Sequence, residues 1–235
     1  MSVFRFKYFT IDQQECAQKV GTDSMLLGAM AQPCGCNSIL DVGTGNGMLA
    51  LMMAQKNPSS RITAIEIDEK CARQAALNFK QSPFGLNIDL LNADFIDYEF
   101  RGEYDMIISN PPYFSNAFLP ADMKRAKARH EATMTLSNFL EKAHLCLKDH
   151  GSVWFVLPVE RTDEAISHGC RLGFVLERRI KIAGKPGGHV RDILQMIKTS
   201  EPVLTIEDSF TVRNEDGLYT EEYKSLTRDF HFTDL

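Results

Sequence analysis

The chain has 235 residues, of which 44% are hydrophobic and 24% are charged, with a formal net charge of −5 and a pI near 5.7. This composition is that of an ordinary soluble globular protein, and its acidic balance argues against bulk electrostatic attraction to nucleic acid. Apolar stretches fall far short of the roughly 20 residues that a membrane-spanning helix needs, and the start of the chain lacks a secretory pattern. We therefore predict a cytoplasmic protein with no membrane partner.

The first segment, 1–37, precedes the first predicted core strand and is too short for a domain, so we interpret it as an N-terminal appendage. Within it, KVGTDSMLLGAMA (19–31) predicts a turn followed by a helix that Thr22 or Asp23 caps. The last segment, 201–235, is polar and mixed in charge. It is predicted to be a tail packed on the core.

Between these segments, over 38–200, short β-branched runs alternate with helical stretches. The predicted strands are 38–42, 61–67, 87–93, 104–109, 152–157, 174–180 and 192–198, and the helix candidates are 46–56, one from Asp68 and one from Ser137. This alternation is typical of an α/β domain with a mostly parallel sheet, here of seven strands. Only a Gly/Pro loop separates the last two strands, so an antiparallel hairpin is expected at the sheet edge.

Six cysteines occur, at 16, 34, 36, 71, 146 and 170. Their only close pair is Cys34 and Cys36, and no second pair or His-x-x-x-His segment completes a zinc site. We predict no metal and six reduced thiols.

A glycine-rich loop, ILDVGTGNG (39–47), closes the first core strand. Gly43, Gly45 and Gly47 allow the backbone to turn tightly and a ligand to approach the main chain. The spacing differs from the G-x-G-x-x-G of dinucleotide-binding loops. Asp41, just before the loop, would repel a pyrophosphate but can hold a cationic amino-acid group.

Acidic residues also end the next two predicted strands. Glu66 is positioned for the two hydroxyls of a ribose, and Asp94 is positioned to accept from an adenine amine. An acid at one strand end is common, but three at successive strand ends beside three glycines are much less expected by chance. The arrangement resembles the S-adenosylmethionine site of Rossmann-like class I methyltransferases, which implies that cofactor and that fold.

The fourth strand ends in Asn110-Pro111-Pro112-Tyr113, which should face the methyl group of that cofactor. An amine conjugated to an aromatic ring is a poor nucleophile because its lone pair is delocalised. The side-chain oxygen of Asn110 and the carbonyl of Pro111 can accept its two N–H bonds and localise the lone pair, in a loop that the prolines stiffen. Tyr113 would stack on the planar substrate, and transfer would be an in-line displacement. We predict these four residues as catalytic, with Asn110 also beside the cofactor.

The tetrapeptide resembles the (D/N/S)-P-P-(Y/F/W) signature of enzymes that methylate adenine N6, cytosine N4, guanine N2 or glutamine amides. Over the whole chain, four segments carry a closer resemblance, to the bacterial tRNA(Val) adenine-37 N6-methyltransferase family. They are FRFKYFTIDQQECAQKVGTDSMLLGA (4–29), ILDVGTGNG (39–47), SNPPYF (109–114) and LYTEEYKSLTRDF (218–230). The resemblance implies N6-methylation of the adenosine 3′ of the anticodon, and it places Lys19, Gly21 and Thr22 beside the cofactor.

Two basic segments, 123–130 and 178–191, can hold an RNA backbone on either side of the pocket. The predicted RNA-binding residues are Phe114, Lys124, Arg125, Lys127, Arg129, Arg178, Arg179 and Lys185. An anticodon-loop adenosine is partly single-stranded, so stacking on Tyr113 or Phe114 requires little unpairing. The predicted partner of a monomeric enzyme is thus the tRNA anticodon stem-loop, and not DNA.

Other classes of protein share part of this sequence pattern. Release-factor glutamine methyltransferases and guanine N2 methyltransferases of rRNA use the same tetrapeptide, but the former typically have an N-terminal helical domain that this chain lacks. A DNA adenine methyltransferase usually carries a target-recognition domain, for which the chain has no room. A nucleotide-dependent oxidoreductase fits the glycine loop poorly, and a non-catalytic RNA-binding module is favoured only if cofactor binding fails.

Overall fold

The centre of the computed structural model, which describes residues 3–16, 18–111 and 134–232, is an eight-stranded sheet. Its strands are β3 (Ser38–Val42), β4 (Arg61–Glu66), β5 (Ile88–Asn92), β6 (Tyr104–Ser109), β7 (Leu147–Pro158), β8 (Phe174–Ala183), β9 (His189–Lys198) and β10 (Ile206–Thr211). Their order is β10-β8-β9-β7-β6-β3-β4-β5, and neighbours are parallel except where β9 pairs with β7 and β8. The predicted α/β class and mostly parallel sheet are confirmed.

A separate antiparallel hairpin in the N-terminal appendage pairs β1 (Val3–Arg5) with β2 (Thr10–Asp12). The helices are α1 (Thr22–Met30), α2 (Met48–Lys56), α3 (Glu69–Gln81), α4 (Leu136–Cys146), α5 (Thr162–Leu172) and α6 (Glu221–Thr227). Asp68 caps α3 as predicted, because its side chain accepts a hydrogen bond from the Cys71 amide at 2.8 Å. Within the described part of the chain, no helix is long and apolar enough to cross a membrane.

The sheet has one strand more than the seven predicted, and the extra strand lies in the predicted tail. β10 pairs with β8, so the β8–β9 hairpin lies one strand in from the edge rather than at it. Arg178 and Lys181 of β8 pair with Asp208 and Glu207 of β10 at 3.1 and 2.8 Å. The charged residues that hold β10 are also what prevented its detection, because an edge strand with little burial has no apolar run.

Side chains of the sheet alternate between two hydrophobic layers. In β3, Ile39 packs into the layer that also contains Leu26 of α1 and Met52 of α2, whereas Leu40 packs into the layer that contains Phe139 of α4. Gly28 permits the close contact of α1 with α2, since a Cβ atom there would lie 2.5 Å from the Met52 sulfur. α1 is thereby held firmly against the sheet domain.

The carboxyl ends of β3, β4 and β6 lie at one edge of the sheet, where parallel α/β folds bind their ligands. The hairpin between β8 and β9 reaches the same edge, because Ala183 pairs with His189 and Pro158 of β7 pairs with Arg191. The edge thus brings together the glycine loop, the start of the predicted catalytic loop and the 184–188 turn.

A disulfide joins Cys16 to Cys71, with a Cα–Cα distance of 4.8 Å. The prediction of six reduced thiols is therefore wrong for these two, whose separation of 55 residues gave no local signal. The bond ties the N-terminal appendage to the first turn of α3. Cys34, Cys36, Cys146 and Cys170 are free, and the described residues contain no cluster suited to a metal ion.

Candidate functional site

The glycine loop after β3 adopts left-handed backbone conformations at Gly43, Gly45 and Gly47, with φ of 66°, 57° and 86°. Added Cβ atoms would meet nothing within 4 Å at Gly43 and only a carbonyl oxygen at 3.9 Å at Gly45. At Gly47, a Cβ atom would lie 2.4 Å from the ring of Phe79. Gly43 and Gly45 thus leave open space beside the loop, whereas a side chain at Gly47 would collide with Phe79 of α3. Ligand contacts at the three glycines stay predictions.

A cleft runs between this loop and the N-terminal appendage. Its lining residues are Gln18, Lys19, Val20, Ser24, Gly43, Thr44, Gly45, Asn46, Met48, Leu49 and Asn110. Four of the residues predicted for the cofactor, Lys19, Gly43, Gly45 and Asn110, therefore line this one cleft. Gly21 and Thr22 are exposed and do not line it.

Asp41 is fully buried next to the glycine loop. Its Oδ2 accepts hydrogen bonds from the Thr44 hydroxyl at 2.6 Å and from the Ala50 amide at 3.0 Å. Its Oδ1 has no hydrogen-bond partner among the described residues. Burial raises the pKa of this carboxyl to about 7. Asp41 does not line the cleft, but a buried acid with one unused oxygen beside the glycine loop is compatible with a cationic amino group, so its contact with S-adenosylmethionine stays a prediction.

Glu66, at the end of β4, holds the glycine loop in place. Its Oε2 accepts from the Gly45 amide and its Oε1 from the Asp68 amide, both at 2.9 Å. Burial raises the pKa of the Glu66 carboxyl. Since each carboxylate oxygen has two acceptor sites, Glu66 can anchor the loop and still accept from ribose hydroxyls.

Asp94 follows β5, as predicted, but does not line the cleft. Its Oδ1 accepts from the Ile96 amide at 2.8 Å, and its carbonyl accepts from the Tyr98 amide at 2.9 Å. These bonds form a turn after the strand, so a contact between Asp94 and adenine stays a prediction.

Lys19 directs its ammonium group at its own segment rather than into open space. It donates to the carbonyls of Gln13 and Cys16, the latter at 2.9 Å. The Gln13 side chain in turn accepts from the Val20 amide at 2.7 Å. Lys19 therefore shapes the cleft wall through the backbone.

The start of α1 differs from the predicted one. Gly21 is the N-cap residue and makes no side-chain cap, while Thr22 is the first helical residue. The prediction that Thr22 or Asp23 caps the helix is wrong. Asp23 instead accepts from Arg191 of β9 at 3.1 Å, which ties the helix start to the β8–β9 hairpin.

Asn110 follows β6 directly and lines the same cleft as Gly43 and Gly45. Its side-chain nitrogen donates to the Ser24 hydroxyl oxygen at 2.7 Å. Ser109 fixes the strand end beneath it by donating to the Val42 carbonyl at 2.8 Å. Pro111 is buried. The predicted catalytic residues Pro112 and Tyr113 lie outside the described residues.

The predicted RNA-binding residues divide into three groups. Phe114, Lys124, Arg125, Lys127 and Arg129 lie outside the described residues. Arg178 pairs with Asp208, and Arg179 pairs at 2.8 Å with Asp192, which is fully buried. Lys185 is exposed in the turn at the carboxyl edge. The pairing of Arg179 argues against its predicted contact with RNA, because breaking a buried pair is costly.

Sequence reasoning missed several residues of the site, notably Ser24, Thr44 and Asn46. Thr44 lies inside the glycine loop, three residues after Asp41. This short spacing could have predicted the hydrogen bond from its hydroxyl to the buried acid. Ser24 offered no such signal, because it lies 86 residues from the side chain that it contacts.

Replacing Glu66 with alanine is expected to weaken S-adenosylmethionine binding by about 1–3 kcal/mol, because the Gly45 amide loses its partner and the ribose loses an acceptor. Isothermal titration calorimetry measures the change. Glu69→Ala is the matched control, since that side chain, at the first residue of α3, is 73% exposed. Unchanged affinity in Glu66→Ala would remove Glu66 from the site.

The family model of the methyltransferase small domain matches residues 16–168. The tRNA1(Val) (adenine(37)-N6)-methyltransferase of Bacteroides thetaiotaomicron is 37% identical over 97% of this chain and 96% of its own. This chain belongs to the tRNA1(Val) (adenine(37)-N6)-methyltransferase family. The sequence-based recognition and the predicted cofactor, S-adenosylmethionine, are confirmed by this membership.

Solved structures share the fold at much lower identity. Protein Atu636 of Agrobacterium tumefaciens, described as a predicted O-methyltransferase, has a TM-score of 0.69 at 18% identity over 88% of this chain and 96% of its own. The N-methyltransferase NodS of Bradyrhizobium japonicum, solved with S-adenosyl-L-homocysteine, has a TM-score of 0.54 at 12% identity over 75% of this chain and 85% of its own. The predicted class I methyltransferase fold is confirmed.

Proposed function

We propose that this chain methylates N6 of adenosine 37 in tRNA(Val), using S-adenosylmethionine. The observation that carries the proposal is that Asn110, the first residue of the NPPY loop, lines the same cleft as Gly43 and Gly45. A methyl acceptor and a methyl donor can therefore meet between these residues. The name of the Bacteroides relative supports the choice of adenosine 37.

Cofactor binding falls to residues around the glycine loop. Asp41 Oδ1 would hold the amino group, the open faces of Gly43 and Gly45 would contact the ligand, and Glu66 would accept from the ribose. When bound, S-adenosylmethionine supplies an electrophilic methyl group on a positively charged sulfur. The acidic surroundings of the loop favour that positive charge.

Activation of the adenine amine falls to Asn110 and Pro111. Their oxygens accept the two N–H bonds of the amine and draw its lone pair out of conjugation with the ring. Burial of Pro111 and the bond from Ser109 to β3 fix the strand end that carries these acceptors. The acceptors are held in place before the substrate arrives, which is the condition for effective stabilisation of a transition state.

The RNA partner is taken to be the tRNA anticodon stem-loop, bound by a monomer in the cytoplasm. Lys185 is the described cation of the predicted set that stays exposed at the carboxyl edge. It would contact the phosphate backbone near the cleft. The basic segment 123–130, which follows the NPPY loop in the chain, would contact the other side.

The test is incubation with radiolabelled S-adenosylmethionine and separate pools of tRNA, rRNA, DNA and release factors. We expect label in tRNA alone. Label in release factors would replace the proposal with glutamine methylation, and label in rRNA with guanine N2 methylation. Absence of label in every pool, with S-adenosylmethionine bound, would contradict catalysis on these substrates.

A further inference from the structure

The contact between Asn110 and Ser24 joins two elements that meet at the cleft. Ser24 lies in the first turn of α1, and Asn110 follows β6. The side-chain nitrogen of Asn110 lies 2.7 Å from the Ser24 hydroxyl oxygen, and both residues line the cleft. In this contact the nitrogen end of the amide faces Ser24.

The two ends of an asparagine amide are nearly equal in shape but opposite in hydrogen bonding. Only the oxygen can accept from an amine, whereas the nitrogen would oppose an N–H bond with another N–H bond. An amide that turns over about its last torsion is therefore competent in only one of its two orientations. Methyl transfer to an amine requires a device that keeps the oxygen available.

Ser24 occupies the nitrogen end of the amide. With its nitrogen end bound to Ser24, the Asn110 amide has its oxygen free to accept from a substrate. Because the contact is made before any substrate is present, the acceptor requires no reorganisation on binding.

The helix that carries Ser24 is held rigidly on several sides. Leu26 and Leu27 are fully buried, and Gly28 packs against Met52. Asp23, the residue before Ser24, is fixed by Arg191 of β9 at 3.1 Å. A hydroxyl on such a support is fixed well enough to orient a partner side chain.

We propose that Ser24 is a positioning residue for methyl transfer, which orients the Asn110 amide so that its oxygen faces the target amine. This role rests on the proposed function, since it requires an amine as the methyl acceptor. Ser24 takes no part in the chemistry itself and acts only through Asn110.

The test compares variants of Ser24 in steady-state methylation of tRNA. Ser24→Ala is expected to lower kcat about tenfold, the cost of one lost hydrogen bond, with the KM for tRNA and the Kd for S-adenosylmethionine within about twofold of wild type. Ser24→Thr, which keeps the hydroxyl, should recover most of kcat. Ser24→Val has the same shape as threonine without the hydroxyl and should remain as slow as Ser24→Ala.

A second background separates orientation from general damage to the cleft. In Asn110→Asp both ends of the side chain are oxygens, so either end can accept from the amine and the Ser24 hydroxyl would donate to the carboxylate. Ser24→Ala should therefore lower kcat less in this background than in wild type. Ser60→Ala is the control for loss of a buried serine bond, because Ser60 donates to the Cys36 carbonyl at 2.7 Å at the start of β4, away from the cleft. It should leave kcat unchanged.

Equal kcat for the threonine and valine variants would overturn the role of the hydroxyl. So would an undiminished effect of Ser24→Ala in the Asn110→Asp background, or a loss confined to cofactor affinity. Failure of wild-type protein to methylate tRNA would instead contradict the proposed function, so the two failures are distinguishable.

Discussion

Replacing Asn110 with alanine is expected to lower kcat by about a hundredfold or more while leaving the affinity for S-adenosylmethionine nearly unchanged. The substitution removes one acceptor from the target amine, and that hydrogen bond strengthens as the lone pair localises in the transition state. The cofactor wall is spared, because Asp41 and Glu66 make their contacts with the glycine loop and neighbouring backbone. Single-turnover methylation of tRNA and calorimetry with the cofactor measure the two quantities.

Asn87→Ala is the matched control for this variant. Its side chain is exposed and donates to the Pro58 carbonyl at 2.8 Å, next to the start of β5. It should leave both kcat and cofactor affinity at wild-type values. Full activity in Asn110→Ala would overturn the mechanism, whatever the substrate.

Asp41→Asn is expected to stabilise the cofactor-free protein at pH 8 and to weaken cofactor binding by more than about tenfold. Burial raises the pKa of Asp41 from 3.8 to about 7, so ionising it at pH 8 costs the folded state on the order of 4 kcal/mol. Asparagine avoids that cost. Its amide nitrogen, however, is a buried donor without a partner, which destabilises the variant by about 1–3 kcal/mol. The net change at pH 8 is therefore a small gain in stability.

The sign of the pH dependence follows from the same shift. A carboxyl whose pKa is higher in the folded state binds its proton more tightly there, so its contribution to stability is full below about pH 4 and is lost as the pH rises to about 7. Asp41→Asn should remove that slope. Cofactor affinity should rise between about pH 6 and pH 7.5 in wild type, since the cationic ligand prefers the ionised acid.

Chemical denaturation of the cofactor-free proteins at pH 5 and pH 8 gives the stabilities, and calorimetry gives the affinities. Asp89→Asn, an exposed acid on β5, serves as the control and should change neither quantity. A stability difference between Asp41→Asn and wild type that stays constant with pH would contradict the raised pKa of the Asp41 carboxyl. Unchanged cofactor affinity would remove Asp41 from the amino-group site.

Most of the sheet and the glycine loop could be predicted from the sequence because their signals are local. A buried parallel strand is a short apolar run, and a loop that needs left-handed backbone is marked by glycine, as at Gly43 and Gly45. β10 could not be predicted from the sequence because its residues are mostly exposed, so neither an alternating pattern nor an apolar run marks it. At the third glycine, Gly47, the Phe79 ring of α3 also excludes a side chain, and sequence spacing gives no sign of that packing.

The parts of the site that sequence could not supply depend on contacts between distant segments. Ser24 and Asn110 are 86 residues apart, and Cys16 and Cys71 are 55 apart. The basic run around Arg179 predicts a surface cation, but Arg179 forms an ion pair with Asp192 on the adjacent strand. Residue type and spacing carry no information on such pairings until the topology is known.

The proposed reaction places a methyl group on N6 of adenosine 37 in tRNA(Val). The direct measurement is nucleoside and oligonucleotide mass spectrometry of tRNA from cells that lack the enzyme, after treatment with the purified protein and S-adenosylmethionine. We expect N6-methyladenosine in the anticodon-loop fragment of tRNA(Val), at position 37, and far less of it in the same reaction time when Asn110→Ala is used. A methyl group on guanine, on another adenosine, or on no nucleoside of this tRNA would contradict the proposed reaction.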